Sequence, residues 1–238
     1  MTPNEDVVAA LRRAAHELAA KRSIRDLEQT LTDIVAAAVE TVPGADAGGI
    51  SITQDGAITS RNPTHPAVTK LDRLQSDLEE GPCITAILEP PDDGIVLAGD
   101  LEGADGERWP RFTPHAVEAG YHSMVSAQLT QDTGGLRAAL NLYATARDAF
   151  DEEARLVAGL FGVQAAMLLY GSEHAMNLQR AVESRDLIGR AKGILMERFS
   201  VDDDGAFRML VQSSQETNLK LVEIAQWLHD EVAQRGRR

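Results

Sequence analysis

The sequence predicts an α+β protein in which helices and an antiparallel sheet come first and a group of helices closes the chain. Three observations support this prediction. Apolar residues recur at helical spacing near the start, alternate every second residue in several short segments after that, and return to helical spacing from Asp151 onward. Helical and strand periods therefore occupy separate stretches of the chain.

Composition limits the classes of protein that this chain can be. Its 238 residues are 43% hydrophobic and 25% charged, which is ordinary for a globular protein with a sizeable core. The net charge of −14 argues against a basic protein that coats nucleic acid and against a peripheral membrane binder. The single cysteine, Cys83, excludes an internal disulfide and an all-cysteine zinc site, so we expect a cytoplasmic protein.

We expect neither a secretion signal nor a membrane segment. Residues 1–23 place acids before their apolar residues and an arginine pair in the middle, which predicts an amphipathic helix and not a signal peptide. No segment approaches the roughly 18 consecutive apolar residues that a membrane span needs.

The next helix is predicted over residues 26–41. Its apolar residues recur at three and four residues from Leu27 to Ala38, and Pro43-Gly44 ends the pattern.

Strands are predicted after this helix. Ile50 and Ile52 alternate with polar residues before Asp55-Gly56, a dipeptide typical of a hairpin turn. Further strands are predicted at 95–98, 123–130 and 136–145, the last two joined by a loop at 132–135. A short helix is predicted after Trp109-Pro110, because proline fits the first turn of a helix.

The helical pattern from Asp151 has the spacing of a short coiled coil. One seam steps by three and four residues: Phe161, Gln164, Leu168, Gly171, Ala175, Leu178 and Val182. This seam predicts that two chains pair to form a homodimer. The alternative is a closing helix that packs on the sheet of its own chain and breaks at Gly171-Ser172.

Two shorter helices are predicted beyond Phe199, at 203–216 and 219–234. Asp202 or Asp203 is placed to cap the first and Asn218 to cap the second, because short polar side chains accept hydrogen bonds from the first N–H groups of a helix. The tail is therefore predicted to be a three-helix unit.

Charge is unevenly distributed along the chain. Residues 1–172 carry 13 Lys+Arg and 26 Asp+Glu, a net of −13, whereas residues 173–238 carry 10 and 11, a net of −1. Within this tail five cations accompany three acids: Arg180, Arg185, Arg190, Lys192 and Arg198, with Glu183, Asp186 and Glu197. The tail is the part of the chain best suited to a polyanion.

The residue patterns point to no catalytic or metal site. The histidines are scattered with no pair at ligand spacing on one helix, and no glycine-rich phosphate loop follows a predicted strand. Cys83 is the one candidate nucleophile, since it could begin a short helix whose dipole would lower the pKa of its thiol. We favour the alternative, a buried and inert cysteine that faces the sheet. No enzyme activity, cofactor or metal is therefore expected.

The tail carries a long motif with characteristic spacing. The segment SRDLIGRAKGILMERF, followed by DDDGAFRMLVQSSQETNLKLVEIA, lies within residues 181–227. It resembles the ANTAR domain, the three-helix RNA-binding module of transcription antiterminators. The matching positions include Ala191-Lys192-Gly193, Leu195-Met196, Ala206-Phe207, Ser214-Gln215 and Lys220-Leu221.

The preceding part of the chain carries a second set of motifs. They are Glu80-Gly81-Pro82-Cys83, Arg108-Trp109-Pro110, Gly120-Tyr121-His122-Ser123, Ala139-Leu140-Asn141-Leu142-Tyr143 and Phe150-Asp151. Together they resemble a GAF domain of the kind fused to ANTAR domains in actinobacteria. The two resemblances imply an N-terminal helix at 1–23, a GAF-like domain at 24–170, a helical linker at 171–180 and an ANTAR domain at 181–238.

The resemblance implies a transcription antitermination regulator. ANTAR domains bind paired RNA stem-loops with six-base loops, which would favour an antiterminator hairpin over a terminator, while GAF domains hold small ligands or dimerise. The GAF-like segment lacks the Asn-Lys pair of cyclic-nucleotide binders, and Cys83 has no His beside it as a bilin-attaching cysteine usually has. A single cysteine also departs from the methionine sulfoxide reductase form of the fold, so the ligand stays unknown.

The resemblance assigns the RNA face to six residues: Arg185, Lys192, Arg208, Ser214, Asn218 and Lys220. Their cations suit phosphates, while the Ser214 hydroxyl and Asn218 amide suit exposed loop bases. The alternatives are that Arg208 is only a surface charge and Asn218 only a helix cap. Any small-molecule ligand of the GAF-like domain is expected between the sheet and the segment that contains Cys83 and Trp109.

Two other functions stay open. The chain could be a ligand-binding or protein-interaction GAF module whose C-terminal helices serve only dimerisation. With less support, it could be a small enzyme that uses Cys83 as its nucleophile.

Overall fold

A computed structural model describes residues 27–54, 57–129 and 137–235. The chain forms two compact units that divide between Ser172 and Glu173. The helix predicted at 1–23, the Asp55-Gly56 dipeptide and the loop predicted at 132–135 lie outside the described residues.

The first unit is built on a five-stranded antiparallel sheet. Its elements are α1 (Leu27–Thr41), β1 (Ala47–Gln54), β2 (Ala57–Arg61), α2 (Pro66–Leu78), α3 (Pro82–Leu88), β3 (Ile95–Ala98), α4 (Thr113–Glu118), β4 (Ser123–Gln128), β5 (Arg137–Ala144) and the start of α5 (Glu152–Phe199). The strands lie in the order β2-β1-β5-β4-β3. The predicted α+β fold is confirmed, as are the hairpin of β1 with β2 and the three later strands.

Alternation along the strands separates two cores. Ile50, Val125 and Leu140 pack with residues of α1 and of the first turns of α5 in one apolar core. The intervening side chains, such as Met124 and Tyr143, pack with α2, α3 and α4 in the other. Both faces of the sheet are therefore covered, which explains the sustained apolar content of β4 and β5.

The seam predicted for a dimer is wrong in its first half. Phe161 is fully buried and Gln164 nearly so, because this side of α5 packs on the sheet of its own chain. A neighbouring stripe of α5 is exposed instead, at steps of four, three, four and three residues: Leu156, Leu160, Val163, Met167 and Tyr170. The predicted alternative is also wrong on one point, since α5 continues through Gly171-Ser172 without a break.

The helices of the second core differ most from the prediction. The α2 helix was not predicted; it begins at Pro66, and the ring of His65 accepts the N–H of Ala67 as its cap. The α4 helix begins only at Thr113, because the carbonyl of Trp109 accepts the N–H groups of Phe112 and Thr113 in a preceding turn.

The second unit contains three helices, as predicted. They are the C-terminal part of α5, α6 (Asp203–Thr217) and α7 (Leu221–Arg235). Their core consists of Ala191, Leu195, Ala206, Leu210, Ala225 and Leu228. Asp202 caps α6 as predicted, since its carboxylate accepts the N–H of Gly205 at 2.8 Å.

The prediction that Asn218 caps the last helix is wrong. Asn218 ends α6 in the left-handed conformation, with φ of 56°, which asparagine tolerates better than most residues. At the start of α7 the carboxylate of Glu223 accepts the N–H of Lys220 at 2.8 Å. The side chain of Glu223, in the first turn of α7, therefore takes the capping role that was predicted for Asn218.

Candidate functional site

The six residues predicted to contact RNA are distributed over all three helices of the second unit. Arg185 and Lys192 lie on α5, Arg208 and Ser214 on α6, and Asn218 and Lys220 in the connection to α7. Arg185 and Lys192 are seven residues apart, so they share one side of α5 two turns from each other.

Lys192 is held by residues of α6. Its ammonium lies 2.5 Å from the carboxylate of Asp203 and 5.9 Å from the ring centre of Phe207. Its side chain is only 21% exposed. The cation is therefore fixed in position and shares its charge with an acid of the same unit.

Ser214 and Asn218 both have local structural roles. The Ser214 hydroxyl donates to the carbonyl of Leu219 at 2.6 Å, which ties α6 to the segment that follows it. Asn218 supplies the left-handed turn between them. These contacts position the connection between α6 and α7.

Three of the six residues predicted to contact RNA are exposed cations. Arg185, Arg208 and Lys220 are accessible to solvent, and none of their side chains forms an ion pair with another described residue. Among the six predicted residues, these three offer the most available charge to a polyanion.

Sequence reasoning did not identify a groove between α5 and α7. Its volume is about 370 Å³, and Arg180 and Arg190 line it. Both arginines belong to the local excess of cations noted in the sequence. That pattern could not show which of them stand opposite α7, because the packing of the three helices decides it.

In the first unit, the Glu80-Gly81-Pro82-Cys83 motif holds two segments together. The Glu80 carboxylate accepts the N–H groups of Arg111 and Phe112 and pairs with the Arg111 guanidinium. Gly81 has φ of 138°, and a Cβ there would lie 2.3 Å from the Gln75 side-chain oxygen. Glycine is therefore required by both its conformation and its close approach to Gln75.

The two predicted ligand residues, Cys83 and Trp109, lie in the same buried core. The Trp109 indole N–H donates to the Thr85 hydroxyl at 3.1 Å. Burial, followed by the nearby charge of Asp72, raises the pKa of the Cys83 thiol to about 12. The thiol is therefore protonated at neutral pH, opposite to the expectation for an activated nucleophile.

A network of polar side chains lies beside Cys83, on the face of the sheet that α2, α3 and α4 cover. The Asp72 carboxylate, 1% exposed, accepts hydrogen bonds from the hydroxyls of Tyr143 and Ser60 at 2.6 Å each. It also accepts the Asn141 amide N–H at 3.1 Å. Burial raises the pKa of Asp72, while these hydrogen bonds act in the opposite direction.

The space predicted for a ligand is occupied by side chains of the chain itself. Phe112, Met124 and Tyr143 are buried there together with Cys83 and Trp109. Ligand binding at Cys83 and Trp109 stays a prediction, and it would require this core to open.

The described residues contain no group of three or more His, Cys, Asp or Glu side chains arranged to hold a metal ion.

Two family models match the chain. The model of the GAF domain covers residues 24–169, and the model of the ANTAR domain covers residues 176–228. This chain belongs to the GAF-domain family. Because the ANTAR domain follows, the chain is a GAF-ANTAR regulator, composed of two regulatory domains of which the second belongs to an RNA-binding antitermination family.

Solved structures support the fold of the GAF domain. A GAF sensor protein from Burkholderia vietnamiensis is 12% identical, with a TM-score of 0.55 over 72% of this chain and 98% of that one. The free methionine-R-sulfoxide reductase of Neisseria meningitidis is 16% identical, with a TM-score of 0.51 over 73% and 91%. At these identities the likeness shows a shared fold and not a shared activity. No curated protein matches the chain.

Among the described residues of the GAF-ANTAR regulator, α5 is the one helix long and apolar enough to cross a membrane by length and composition. Part of its apolar character belongs to residues such as Ala154, Val157 and Phe161, which pack in the core of the GAF domain.

Proposed function

We propose that this GAF-ANTAR regulator is a cytoplasmic homodimer that binds paired RNA stem-loops with six-base loops and thereby promotes antitermination. The match of the ANTAR domain to a folded three-helix unit is the observation that carries the proposal. Each ANTAR domain of the dimer binds one stem-loop, so two loops on one transcript engage two copies of the same surface.

The charge of the ANTAR domain supports RNA as the partner. Residues 173–238 have a net charge of only −1 on a chain of −14. Arg185, Arg208 and Lys220 add exposed cations whose charge no described acid neutralises. The acidic GAF domain repels RNA, so RNA binding must depend on short-range contacts between these cations and phosphates. Binding therefore weakens steeply as the salt concentration rises.

The exposed stripe on α5 supports a homodimer. Leu156, Leu160, Val163, Met167 and Tyr170 follow the four-three spacing of a coiled coil and lie outside the core of their own chain. Met167 is 72% exposed, an unusual position for a large apolar side chain with no partner. Pairing of two stripes removes these side chains from water.

The GAF domain is proposed as the scaffold of this dimer. Its filled core favours a dimerisation module over a ligand sensor, because Cys83 and Trp109 already contact side chains of the domain itself. A ligand sensor would have to displace those side chains before it could bind a small molecule.

RNA binding by the full chain tests the proposal. The probe is a synthetic RNA with two adjacent hairpins that carry six-base loops, and the control RNA has the same stems with four-base loops. We expect the six-base RNA to bind more tightly and to increase read-through of a terminator that overlaps the second hairpin.

Substitution of Arg185, Arg208 and Lys220 by Ala should weaken this binding. Each lost phosphate contact should lower the slope of log affinity against log salt by roughly 0.7. Equal binding of both RNAs, or of neither, would contradict the proposal and leave the dimerising module as the better account.

A further inference from the structure

The groove between α5 and α7 of the ANTAR domain has an unusual lining. Its apolar lining residues are Leu187 from α5 and Val222 from α7. Four charged side chains of α5 also line it: Arg180, Glu183, Asp186 and Arg190. Two cations and two carboxylates therefore line one groove.

These charges do not neutralise one another. Asp186 and Arg190 are four residues apart, a spacing at which opposite charges usually pair on a helix. Yet Arg180, Asp186 and Arg190 form no ion pair with any described residue, and Glu183 accepts only the amide of Gln179, at 2.8 Å. The groove thus offers separated positive and negative charge to a ligand.

The groove lies away from the surface that Arg185 and Lys192 share. Arg185 is five residues from Arg180 and five from Arg190, which is about 140° around the helix axis in each case. The groove therefore lies on a different side of α5 from Arg185 and Lys192.

We propose that this groove binds one nucleotide of the RNA loop, with its phosphate at Arg180 or Arg190 and its base over Leu187 and Val222. The proposal rests on the proposed function as an RNA-binding protein. Carboxylates accept hydrogen bonds from N–H donors, so Glu183 or Asp186 selects a base with an exocyclic amino group. Adenine, guanine and cytosine carry that group. Uracil lacks it, and its one Watson–Crick donor, the ring N3–H, lies between two carbonyl oxygens that repel a carboxylate.

The shape of the groove supports a nucleotide over a helix of another protein. A volume of about 370 Å³ lies at the small end of the range for pockets that hold a single small ligand. Single-stranded loops present unstacked bases whose edges are free for such contacts. A nucleotide also combines, in one ligand, the anion, the apolar ring and the N–H donors that this lining accommodates.

The test uses the full chain and double-hairpin RNAs whose two six-base loops are randomised. RNA that binds the parent protein is sequenced and compared with the starting pool, and the same selection is run with Asp186→Asn and Glu183→Gln. We expect one loop position at which the parent depletes uracil by about tenfold. At least one variant should lose that depletion and keep the preferences at the other positions.

The phosphate contact is tested separately with Arg180→Ala and Arg190→Ala. At least one of them should lower affinity by about tenfold and reduce the salt slope by roughly 0.7. Arg73→Ala, at an exposed arginine of the GAF domain, and Glu197→Gln, at an exposed acid of α5 beyond the groove, are the controls. They should leave affinity and loop preference unchanged.

Two outcomes separate this inference from the proposed function. If the parent binds no double-hairpin RNA, the proposed function fails. If the parent binds and Arg185→Ala weakens it, while the groove variants keep affinity and every loop preference, the groove is not a nucleotide site and the proposed function stands. Altered sedimentation of the groove variants without RNA would identify a second copy of the chain as the occupant, which also overturns the inference.

Discussion

The ammonium of Lys192 lies 2.5 Å from the carboxylate of Asp203. This ion pair joins α5 to the first turn of α6, where the carboxylate also faces the positive end of the helix dipole. Asp203 is 65% exposed, so the pair contributes at most about 1 kcal/mol. Any RNA phosphate that approaches Lys192 must compete with this carboxylate.

Removal of the competing carboxylate should strengthen RNA binding. Asp203→Asn is expected to raise affinity for the double-hairpin RNA several-fold at low salt, because Lys192 loses its partner. Lys192→Ala should lower affinity and reduce the salt slope by roughly 0.7. Both are measured by fluorescence anisotropy over a range of salt concentrations.

Asp204→Asn is the control for Asp203→Asn. It removes the same charge from the same helical turn, but no hydrogen bond or ion pair joins Asp204 to Lys192 in the described structure. If the two variants raise affinity equally, only long-range repulsion is involved and the competition at Lys192 is not real.

The exposed stripe of α5 should determine the oligomeric state. Replacement of Val163 and Met167 together by Glu places charges in the proposed seam, so sedimentation should report monomers that keep their circular dichroism spectrum. Phe161→Ala should instead keep the dimer and lower the free energy of unfolding by about 3–5 kcal/mol, since it removes a buried ring. An unchanged mass for the double variant would contradict the proposal that this stripe forms the dimer interface.

Stability of the GAF domain should depend on the ionisation of Asp72. Its pKa is raised from 3.8, mainly by burial, so the folded state binds the proton more readily than the unfolded state. The free energy of unfolding should therefore fall as pH rises from about 3.8 through the folded pKa of Asp72, with the full penalty present above it.

Asp72→Asn should remove this component of the pH dependence. The amide oxygen still accepts from Tyr143, and the new N–H group can donate to the Ser60 hydroxyl, so the variant should be at least as stable as the parent at pH 7. Urea unfolding at several pH values measures the effect. Asp77→Asn, at an exposed acid of the same helix, should retain the parent profile; a parent-like profile for Asp72→Asn would refute the account.

Cys83 should react with thiol reagents only when the GAF domain opens. Its side chain is fully buried and the pKa of its thiol is about 12, so the native protein contains almost no accessible thiolate. We expect labelling to be slow in buffer and fast in urea. Fast labelling of the native protein would contradict this prediction. It would support a reactive Cys83 and a core that is open to small molecules.

Local sequence alone was sufficient for most of the secondary structure. The alternation at Ile50 and Ile52 located the hairpin. Three further strands were predicted where the structure has them, and β3 has the predicted limits of 95 and 98. Asp202 caps α6 as predicted, because capping depends on a few adjacent residues. The ANTAR motif identified the tail for the same reason: its characteristic residues lie within one short stretch.

Tertiary packing decided which side of α5 is buried. The predicted seam from Phe161 to Val182 and the exposed stripe from Leu156 to Tyr170 both step by three and four residues. This spacing does not distinguish a helix face that packs on the sheet of its own chain from one that packs on a partner. Only the position of the sheet shows that Phe161 is internal and Met167 exposed. The sequence therefore established an amphipathic helix but not the identity of each face.

The functional surfaces divide in the same way. The sequence located the cations of the tail and predicted that Arg185 and Lys192 contact RNA. The ion pair of Lys192 with Asp203 could not be predicted, because it requires α6 to fold back beside α5. The groove at Arg180 and Arg190 likewise requires α7 to lie against α5. Spacing along the chain determines which residues share a helix face, whereas contacts between helices depend on how their apolar sides pack, and that information is not local.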